Sequence, residues 1–447
     1  MDAAGVAGAV WRPPPGKRGA FLHARLVESG GQRVRVRALG GSRAGEIRLT
    51  RLLRNPAVTP EAMVAEAAAR TAVRMADQGR GRHVLAIQDT TVVRSEGGGG
   101  LYLHVAVAVD AKSGALLGLT QATFLNRTEG KRAVHKRVPF AEKESWRWHD
   151  GAVRSAEVCA GAERLTVIAD RESDIFQAFA LRPAGTDLVV RAAQDRALED
   201  GGRLFAALDA RPVAGRSLLD LPARPGHKAR QAHLAVRFTP LAIARPSNSL
   251  DETLPESLVL TVVDLREETA PAGESPVHWR LLTTHAVTNA AEAIAVADLY
   301  RRRWAIEQLF RTLKTKGFDI EGLLVADEAP LRNLVMATLV AAVTIQQLVQ
   351  ARDGAGGPGA LRPLTDAFEP EDQPLLEAFC TKLEGKTERQ KNPHPKGSLA
   401  FAAWVCARLG GWTGYYGKPG PIVMLNGWLY FQAAKHGAAL ATTLRDV

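Results

Sequence analysis

The sequence predicts an α/β fold with a mixed sheet, a β-rich insertion and a helical C-terminal region. Between residues 81 and 196, short apolar runs rich in β-formers alternate with helical patterns, which is typical of a mixed sheet covered by helices. Residues 197–287 hold Pro-bounded strand-like runs with almost no helical periodicity, and helical spacing dominates afterwards. We therefore expect four regions: an N-terminal region at 1–80, a core at 81–196 and 288–350, the β-rich insertion at 197–287 that interrupts this core, and a helical C-terminal region at 351–447.

The first predicted elements are a helix and a three-stranded meander. Residues 59–78 start with Thr-Pro, carry an acid in the first turn and contain mostly helix formers, so they predict a helix. The runs at 82–93, 101–110 and 114–125 are rich in β-formers and are separated by Gly-rich links, which favours antiparallel strands. Residues 1–45 are rich in Gly, Pro and Arg, and their weak periodicity assigns no element.

The remaining core elements follow in the order helix, strand, helix and strand. The segment ESWRWHDGAVRSAEVCAGA predicts a helix, a buried strand at 164–170 ends on an aspartate, and another strand is predicted at 186–196. After the insertion, the apolar spacing predicts one helix over 290–316. An all-helical tail follows, broken by loops at 353–363 and 389–398.

Composition narrows the class of partner and the compartment. The chain has 447 residues, a net charge of +11 and a pI of about 9.8, which favours a polyanionic partner, with nucleic acid ahead of a membrane surface. The Arg-heavy usage of a GC-rich genome explains this charge equally well. Three cysteines without C-x-x-C spacing fit a reducing cytoplasm. The N-terminus lacks a secretory pattern, and the longest apolar run, residues 334–345, is too short to span a bilayer, so it predicts a buried helix.

Two aspartates end apolar strands of the predicted core. Asp89 closes the run HVLAIQD, and Asp170 closes LTVIAD. A single carboxylate at such a position is usually a turn or helix cap. Two of them on neighbouring strands of one sheet would converge above its edge, and this is the arrangement that we expect here.

A third acid lies in the basic segment LYRRRWAIEQLFRTLKTK. If residues 299–316 form one helix, Glu307 shares a stripe about 80° wide with four polar neighbours, opposite an apolar face. These neighbours are Tyr300, Arg303, Arg311 and Lys314. The ordinary interpretation is a solvated face with Arg303–Glu307 and Glu307–Arg311 ion pairs. A Tyr and Trp304 on the same stripe weaken that interpretation.

Together the three acids would form a hard-oxygen metal site. Carboxylates with few neutral ligands select Mg²⁺, with Mn²⁺ as the alternative ion. Two such ions support in-line displacement at a phosphodiester. Arginine and lysine beside the acids would then hold DNA phosphates and keep Glu307 ionised. We therefore assign Asp89, Asp170 and Glu307 as both catalytic residues and metal ligands.

At these residues the chain resembles bacterial DDE transposases of the YREK insertion-sequence family. Tyr300, Arg303, Glu307 and Lys314 meet every spacing of the family motif. QDTT around Asp89 and ADRESDIF around Asp170 are similar to the regions of the family's two aspartates. WRLLTTHAV, EKESWRW and LGGWTGYYGKPGPIVMLNGW also resemble family segments, and the resemblance extends over roughly residues 46–435.

The resemblance implies a fold, a reaction and partners. It implies a ribonuclease-H-like core with a β-strand insertion, and cut-and-paste transposition through nicking, hairpin formation and strand transfer with two Mg²⁺ ions. The partners would be transposon-end and target double-stranded DNA, in a synaptic homodimer joined by the C-terminal helices, in the nucleoid and without a membrane. The DNA-binding residues would be Tyr300, Arg303, Arg311, Lys314 and Arg171, with Trp279 stacking on a flipped base.

Alternatives remain at the level of the residue and of the protein. Arg303 or Lys314 could pair with Glu307, Trp279 could be core, and Arg171 could pair with Asp174. Residues 48–63 resemble the end of the family's N-terminal DNA-binding domain, but the preceding 45 residues depart from its pattern. A catalytically impaired DNA-binding remnant, or an inhibitor of transposition, is therefore the alternative function. A ribonuclease-H-like nuclease with a host role is a further one, which the β-rich insertion disfavours.

Overall fold

A nine-stranded mixed sheet forms the centre of the protein. The computed structural model describes residues 43–78, 80–96, 99–127, 138–221, 228–249, 251–314, 318–323, 325–354, 362–415 and 417–445. The strand order is β3-β2-β1-β4-β5-β9-β8-β7-β6. The strands are β1 His83–Glu96, β2 Gly99–Asp110, β3 Leu116–Arg127, β4 Arg164–Ala169, β5 Thr186–Arg191, β6 Gly215–Leu221, β7 Arg230–Ala244, β8 Ser257–Glu267 and β9 His278–Thr283.

Helices cover both faces of this sheet. They are α1 Arg43–Leu53, α2 Pro60–Gln78, α3 Trp146–Val158, α4 Phe176–Ala180, α5 Leu204–Asp209, α6 Ala290–Arg301, α7 Trp304–Leu313, α8 Glu328–Ala351, α9 Gln373–Leu383, α10 Leu399–Leu409 and α11 Pro421–Arg445. The N-terminal region begins in the described structure at α1, because residues 1–42 lie outside the described ranges.

The first three strands form the predicted antiparallel meander. β1 pairs antiparallel with β2, and β2 pairs antiparallel with β3. On its other side β1 pairs with β4 in parallel, and β4 pairs with β5 in parallel. The expectation of a mixed α/β sheet is therefore confirmed.

The segment 197–287 extends the same sheet. β6 to β9 are mutually antiparallel, and β9 pairs antiparallel with β5 through Val189↔Thr283. The free edge of β5 is thereby satisfied, because an unpaired strand edge leaves a row of N–H and C=O groups without partners. The sequence did not predict this continuity, and it missed the short helix α5 in this segment.

Strand alternation separates two cores. Leu85 and Ile87 of β1 point to one face with α6, α7, α8 and the C-terminal helices, while Val84 and Ala86 point to the other face with α3, α4 and α5. The position of a residue along a strand therefore determines which face of the sheet its side chain lies on.

The apolar run at 334–345 belongs to α8, a helix twice as long as the run. α8 has 24 residues and a mean hydropathy of 1.7 over an 18-residue window, and 78% of that window is buried inside the protein. The prediction of a buried helix is confirmed, but the length argument was wrong, because α8 is long enough to cross a membrane. Its buried amides also bind the surrounding backbone, since Asn333 Nδ2 donates to the carbonyls of Leu53 and Val58.

A buried histidine makes the stability of the fold depend on pH. Nδ1 of His285 accepts from Arg164 at 2.6 Å, and its Nε2 lies 3.0 Å from the hydroxyl of Thr166. Burial, helped by the Arg164 charge, lowers the pKa of His285 to about 4, although Asp187 acts to raise it. The imidazole is therefore neutral in the folded protein at pH values where an unfolded chain already protonates it.

We expect acidification from pH 7 to pH 5 to destabilise the wild type more than His285→Gln. At pH values between the unfolded pKa of about 6.5 and the lower folded pKa, His285 is protonated in the unfolded chain but not in the folded protein. The free energy of unfolding therefore decreases as the pH decreases. The difference between the two proteins should reach at most about 2 kcal/mol at pH 5. Urea unfolding at both pH values measures it. Equal losses in the two proteins would contradict the assignment.

Candidate active site

The two aspartates lie on one face of the sheet, but the expectation that Asp89 ends a strand is wrong. β1 continues to Glu96, and Asp89 pairs with Val105 of β2, whereas Asp170 directly follows the last residue of β4. The parallel pairing of β1 with β4 ends at Ile87↔Ile168, and both isoleucines point into the same core. Two residues further on, Asp89 and Asp170 point to that same face, because side chains alternate along a strand. The sheet therefore brings the two acids together as the sequence predicted.

The third acid arrives on α7, but the predicted single helix over 290–316 is wrong. α6 ends at Arg301 and α7 begins at Trp304. Arg302 and Arg303 form a tight turn between them, in which the Arg303 N–H donates to the carbonyl of Tyr300 at 2.9 Å. Angles counted along one continuous helix therefore do not apply across this turn.

The break removes Tyr300 from the predicted polar stripe. Its side chain is only 6% exposed and belongs to the core. Its ring meets the partly buried ring of Trp279 edge to face, with centroids 5.9 Å apart. Burial raises the pKa of Tyr300, so the hydroxyl stays protonated at neutral pH. Trp279 and Tyr300 thus form an aromatic pair beside the acids, and the core alternative for Trp279 is partly met.

One guanidinium bridges two of the three acids. Arg303 Nη1 donates to Asp89 Oδ2 at 2.7 Å, and its Nη2 donates to Glu307 Oε1. These side chains are between 17% and 29% exposed. The Arg303–Glu307 ion pair that was considered from sequence is present, and it extends to an acid 214 positions away. Arg303 therefore ties the start of α7 to the middle of β1.

The electrostatics indicate a crowded group of acids. Burial raises the pKa of Asp89 to about 6, against the lowering effect of Arg303, and Asp170 raises it further. Burial acts to lower the pKa of Arg303, but Asp89, Tyr300, Glu307 and Asp170 raise it above its usual value. All three acids are thus close enough to influence one guanidinium.

The other predicted basic residues lie around this centre. Arg311 is exposed and sits over the ring of Trp304, with its guanidinium carbon 4.9 Å from the ring centroid. Lys314 follows the last residue of α7, and its Nζ lies 2.6 Å from Glu321 Oε1. Within the described ranges, Arg311 makes no ion pair with Glu307, so that expected pair is absent from the described structure.

The alternative for Arg171 is not supported. Asp174 accepts from Arg196 Nε at 2.8 Å and from the backbone N–H of Ala193 and Gln194. Arg171 itself is exposed in the 3₁₀ turn Arg171–Ser173 that follows Asp170. Its side chain is therefore accessible directly beside Asp170.

Sequence reasoning missed two arginines near this site. Arg191 ends β5, and its charge acts on the Tyr300 hydroxyl while its Nη2 donates to the carbonyl of His278 at 3.0 Å. A polar residue ending an apolar strand was the signal, the same one that marked Asp89. Arg147 is 7% exposed on α3 and lies in the family-like segment EKESWRW, but its contacts with Thr90 and Glu172 join residues that are distant in sequence, so its position in the site could not be predicted.

The carboxylates fit a hard divalent cation by their chemistry, and two of them now share Arg303 as their counter-charge. Asp89, Asp170 and Glu307 offer only oxygen donors, which suit Mg²⁺ or Mn²⁺. No three His, Cys, Asp or Glu side chains within the described ranges are grouped so that they could hold a metal as they stand. Asp89 and Glu307 are joined instead through the positive charge of Arg303.

Comparison with known proteins identifies a related domain. The family model described as the transposase DDE domain matches residues 100–343, which is more than half of the chain. The matched region contains Asp170 and Glu307, whereas Asp89 precedes it.

One solved structure similar to this chain is the cryo-EM structure of a piggyBac transposase synaptic complex with hairpin DNA. The identity is 9% and the TM-score 0.35, over 74% of this chain and 64% of that chain. This chain therefore covers less than two thirds of that chain's length.

Proposed function

This chain belongs to the transposase DDE domain family, and from this premise we propose that it is a metal-dependent cut-and-paste DNA transposase. It nicks the ends of a mobile element, forms a DNA hairpin at each end and transfers the freed 3′-hydroxyl to target DNA. We further propose that it is of the YREK type, with a ribonuclease-H-like core, because Tyr300, Arg303, Glu307 and Lys314 keep the motif spacing.

The bridge between Asp89 and Glu307 through Arg303 carries this proposal. It joins an acid in β1 to an acid in α7, beside the point where Asp170 follows the end of β4. An ion pair that only stabilises the fold needs one acid for each arginine, whereas here Asp89, Glu307 and Asp170 all raise the pKa of Arg303. A largely buried acid such as Asp89, whose pKa burial raises against a specific charged partner, is typical of functional sites.

In this proposal one set of residues binds the divalent cations and another set binds DNA. Asp89, Asp170 and Glu307 would hold the divalent cations, which supply Lewis-acid activation of the nucleophile and of the leaving oxygen. Arg171 and Arg311 are both exposed and make no ion pair with any residue in the described ranges, so they can contact phosphates without losing one there. Lys314 would release its ion pair with Glu321, and Arg303 its ion pair with Glu307, when they bind DNA phosphates.

The aromatic pair suits the hairpin step. Trp279 contacts Tyr300 only edge to face, so one ring face is not covered by that contact. An unstacked base can stack on an aromatic ring in this way, and enzymes that act on a flipped base use such rings. Arg191 lies beside the same pair and can hold the adjacent phosphate.

The wider assembly follows from the same proposal. We propose a homodimer that brings two element ends together through the C-terminal helices, acting on double-stranded DNA in the nucleoid. The N-terminal region at 1–80, the core at 81–196 with 288–350, the β-rich insertion at 197–287 and the C-terminal region at 351–447 would be its functional parts.

A cleavage assay with Mg²⁺ tests the proposal. The substrate is duplex DNA that carries the inverted repeats flanking the coding sequence, and the control is the same duplex with scrambled repeats. We expect repeat-dependent nicks, then hairpins on denaturing gels, and no cleavage in excess EDTA. Repeat binding without cleavage would instead indicate a DNA-binding remnant or inhibitor. Cleavage without repeat dependence or hairpins would indicate a nuclease with a host role.

A further inference from the structure

A buried arginine, Arg147, connects the segment that follows Asp89 to the segment that follows Asp170. Arg147 lies in the first turn of α3, and its side chain is only 6% exposed. A buried guanidinium is costly unless its N–H groups find partners. Arg147 Nε donates to Thr90 Oγ1 at 3.4 Å, Nη1 donates to the carbonyl and carboxylate of Glu144 at 3.0 Å each, and Nη2 donates to Glu172 Oε2 at 2.5 Å.

Two of these partners are chain neighbours of the acids. Thr90 directly follows Asp89, and Glu172 comes two residues after Asp170. Each acid is also bonded to the backbone of the same neighbour. Asp89 Oδ1 accepts from the Thr90 N–H at 2.8 Å, and Asp170 Oδ1 accepts from the Glu172 N–H at 2.8 Å. Arg147 therefore binds the side chains of Thr90 and Glu172, and the backbone N–H groups of these two residues bind the carboxylates of Asp89 and Asp170.

The sheet does not fix this spacing by itself. The last paired residues of β1 and β4 are Ile87 and Ile168, so both acids lie beyond the parallel ladder. Past that point β1 stays paired with β2, but no ladder pairs it with the residues that follow β4, so the distance between Asp89 and Asp170 depends on other contacts. In the described structure Arg147 provides such contacts, above the last pair.

The charge balance argues against a DNA-contacting role for Arg147. Arg127 Nη2 also contacts Glu144 at 2.7 Å and Glu172 at 3.5 Å, and its guanidinium lies over the ring of Tyr102. Two arginines therefore face two glutamates in one neutral network. The Arg147 guanidinium is buried and uses four of its five N–H donors within the protein, so it is not placed to bind a phosphate at the surface.

We infer that Arg147 is a positioning residue that sets the spacing between Asp89 and Asp170, and so determines how tightly this pair holds a divalent cation. The inference rests on the proposed function. Residues that orient metal ligands from behind typically change metal affinity by 10–100-fold when they are replaced. Arg147 would act through Thr90 and Glu172, without touching metal or DNA.

Binding of Mn²⁺ alone, without DNA, tests the inference. Free Mn²⁺ is measured by electron paramagnetic resonance for the wild type, Arg147→Met and Glu172→Gln. Both variants should bind Mn²⁺ about 10–100-fold more weakly. The double variant should be no weaker than the weaker single one, because both act through one contact. Arg154→Met is the matched control, since Arg154 is on the same helix, exposed, and paired with Glu157.

The outcomes separate this inference from the proposed function. If Mn²⁺ binding depends on Asp89 but is unchanged in both variants, Arg147 is merely structural and the inference is overturned. If the wild type shows no Mn²⁺ binding that Asp89→Asn removes, the proposed function fails and the inference fails with it. If Arg147→Met does not fold, as judged by circular dichroism, Glu172→Gln decides alone, because the Glu172 side chain is half exposed.

Discussion

Glu307→Gln should abolish DNA cleavage while DNA binding survives. The amide keeps the shape of the side chain but loses the negative charge that a divalent cation needs. The expected loss of the cleavage rate is at least as large as that for one preorganised electrostatic group, about 10²–10³-fold. Binding should persist, because the variant leaves every basic residue in place and frees Arg303 from one of its acids.

The measurement pairs a cleavage time course with a gel-shift titration on the same DNA. Glu388→Gln is the matched control, since the Glu388 side chain is 86% exposed in the C-terminal region and its one ion-pair partner among the described residues is Lys391. The control should cleave at the wild-type rate. Cleavage by Glu307→Gln at that same rate would remove Glu307 from the catalytic group.

Gly427→Ala should destabilise the C-terminal region by about 3 kcal/mol, as overpacking of a close contact does. Gly427 lies in α11 where the backbone crosses α10. A Cβ at this position would stand 1.6 Å from the carbonyl oxygen of Cys406 and 2.5 Å from its carbonyl carbon. Backbone atoms cannot rotate away as the end of a side chain can, so the two helices must separate.

Gly437→Ala is the matched control on the same helix. Gly437 is exposed, and apart from its chain neighbours and the nearby backbone of α11, no atom of the described residues lies within 4 Å of the position that its Cβ would take. Alanine is a better helix former than glycine by about 1 kcal/mol, so this variant should be equally stable or slightly more stable. Thermal unfolding of both variants gives the comparison. Equal midpoints for both would show that the crossing is looser than the structure has it.

Much of the site could be predicted from local patterns. Asp89 and Asp170 were found because each closes a run of apolar residues, and the parallel pairing then puts both on one face. The meander of β1 to β3 and the helix α2 were likewise predicted, because periodicity and turn residues are properties of neighbours in sequence.

The position of Tyr300 could not be predicted in the same way. The 299–316 segment has good helix formers throughout, so propensity indicates no break at Arg302 and Arg303. The break exists where Arg303 is held by Asp89 of β1 and Tyr300 by the core. These contacts are long-range, and tertiary contacts override weak local preference.

The sequence by itself determined the mixed sheet and the two aspartates on its neighbouring strands, because these depend on residue type and short spacing. Only the tertiary structure decided that segment 197–287 continues the same sheet, that Arg303 bridges Asp89 to Glu307, and that Arg147 ties Thr90 to Glu172. Strand pairing and buried ion pairs join residues tens to hundreds of positions apart. Their energies depend on burial and on partners that no local pattern encodes.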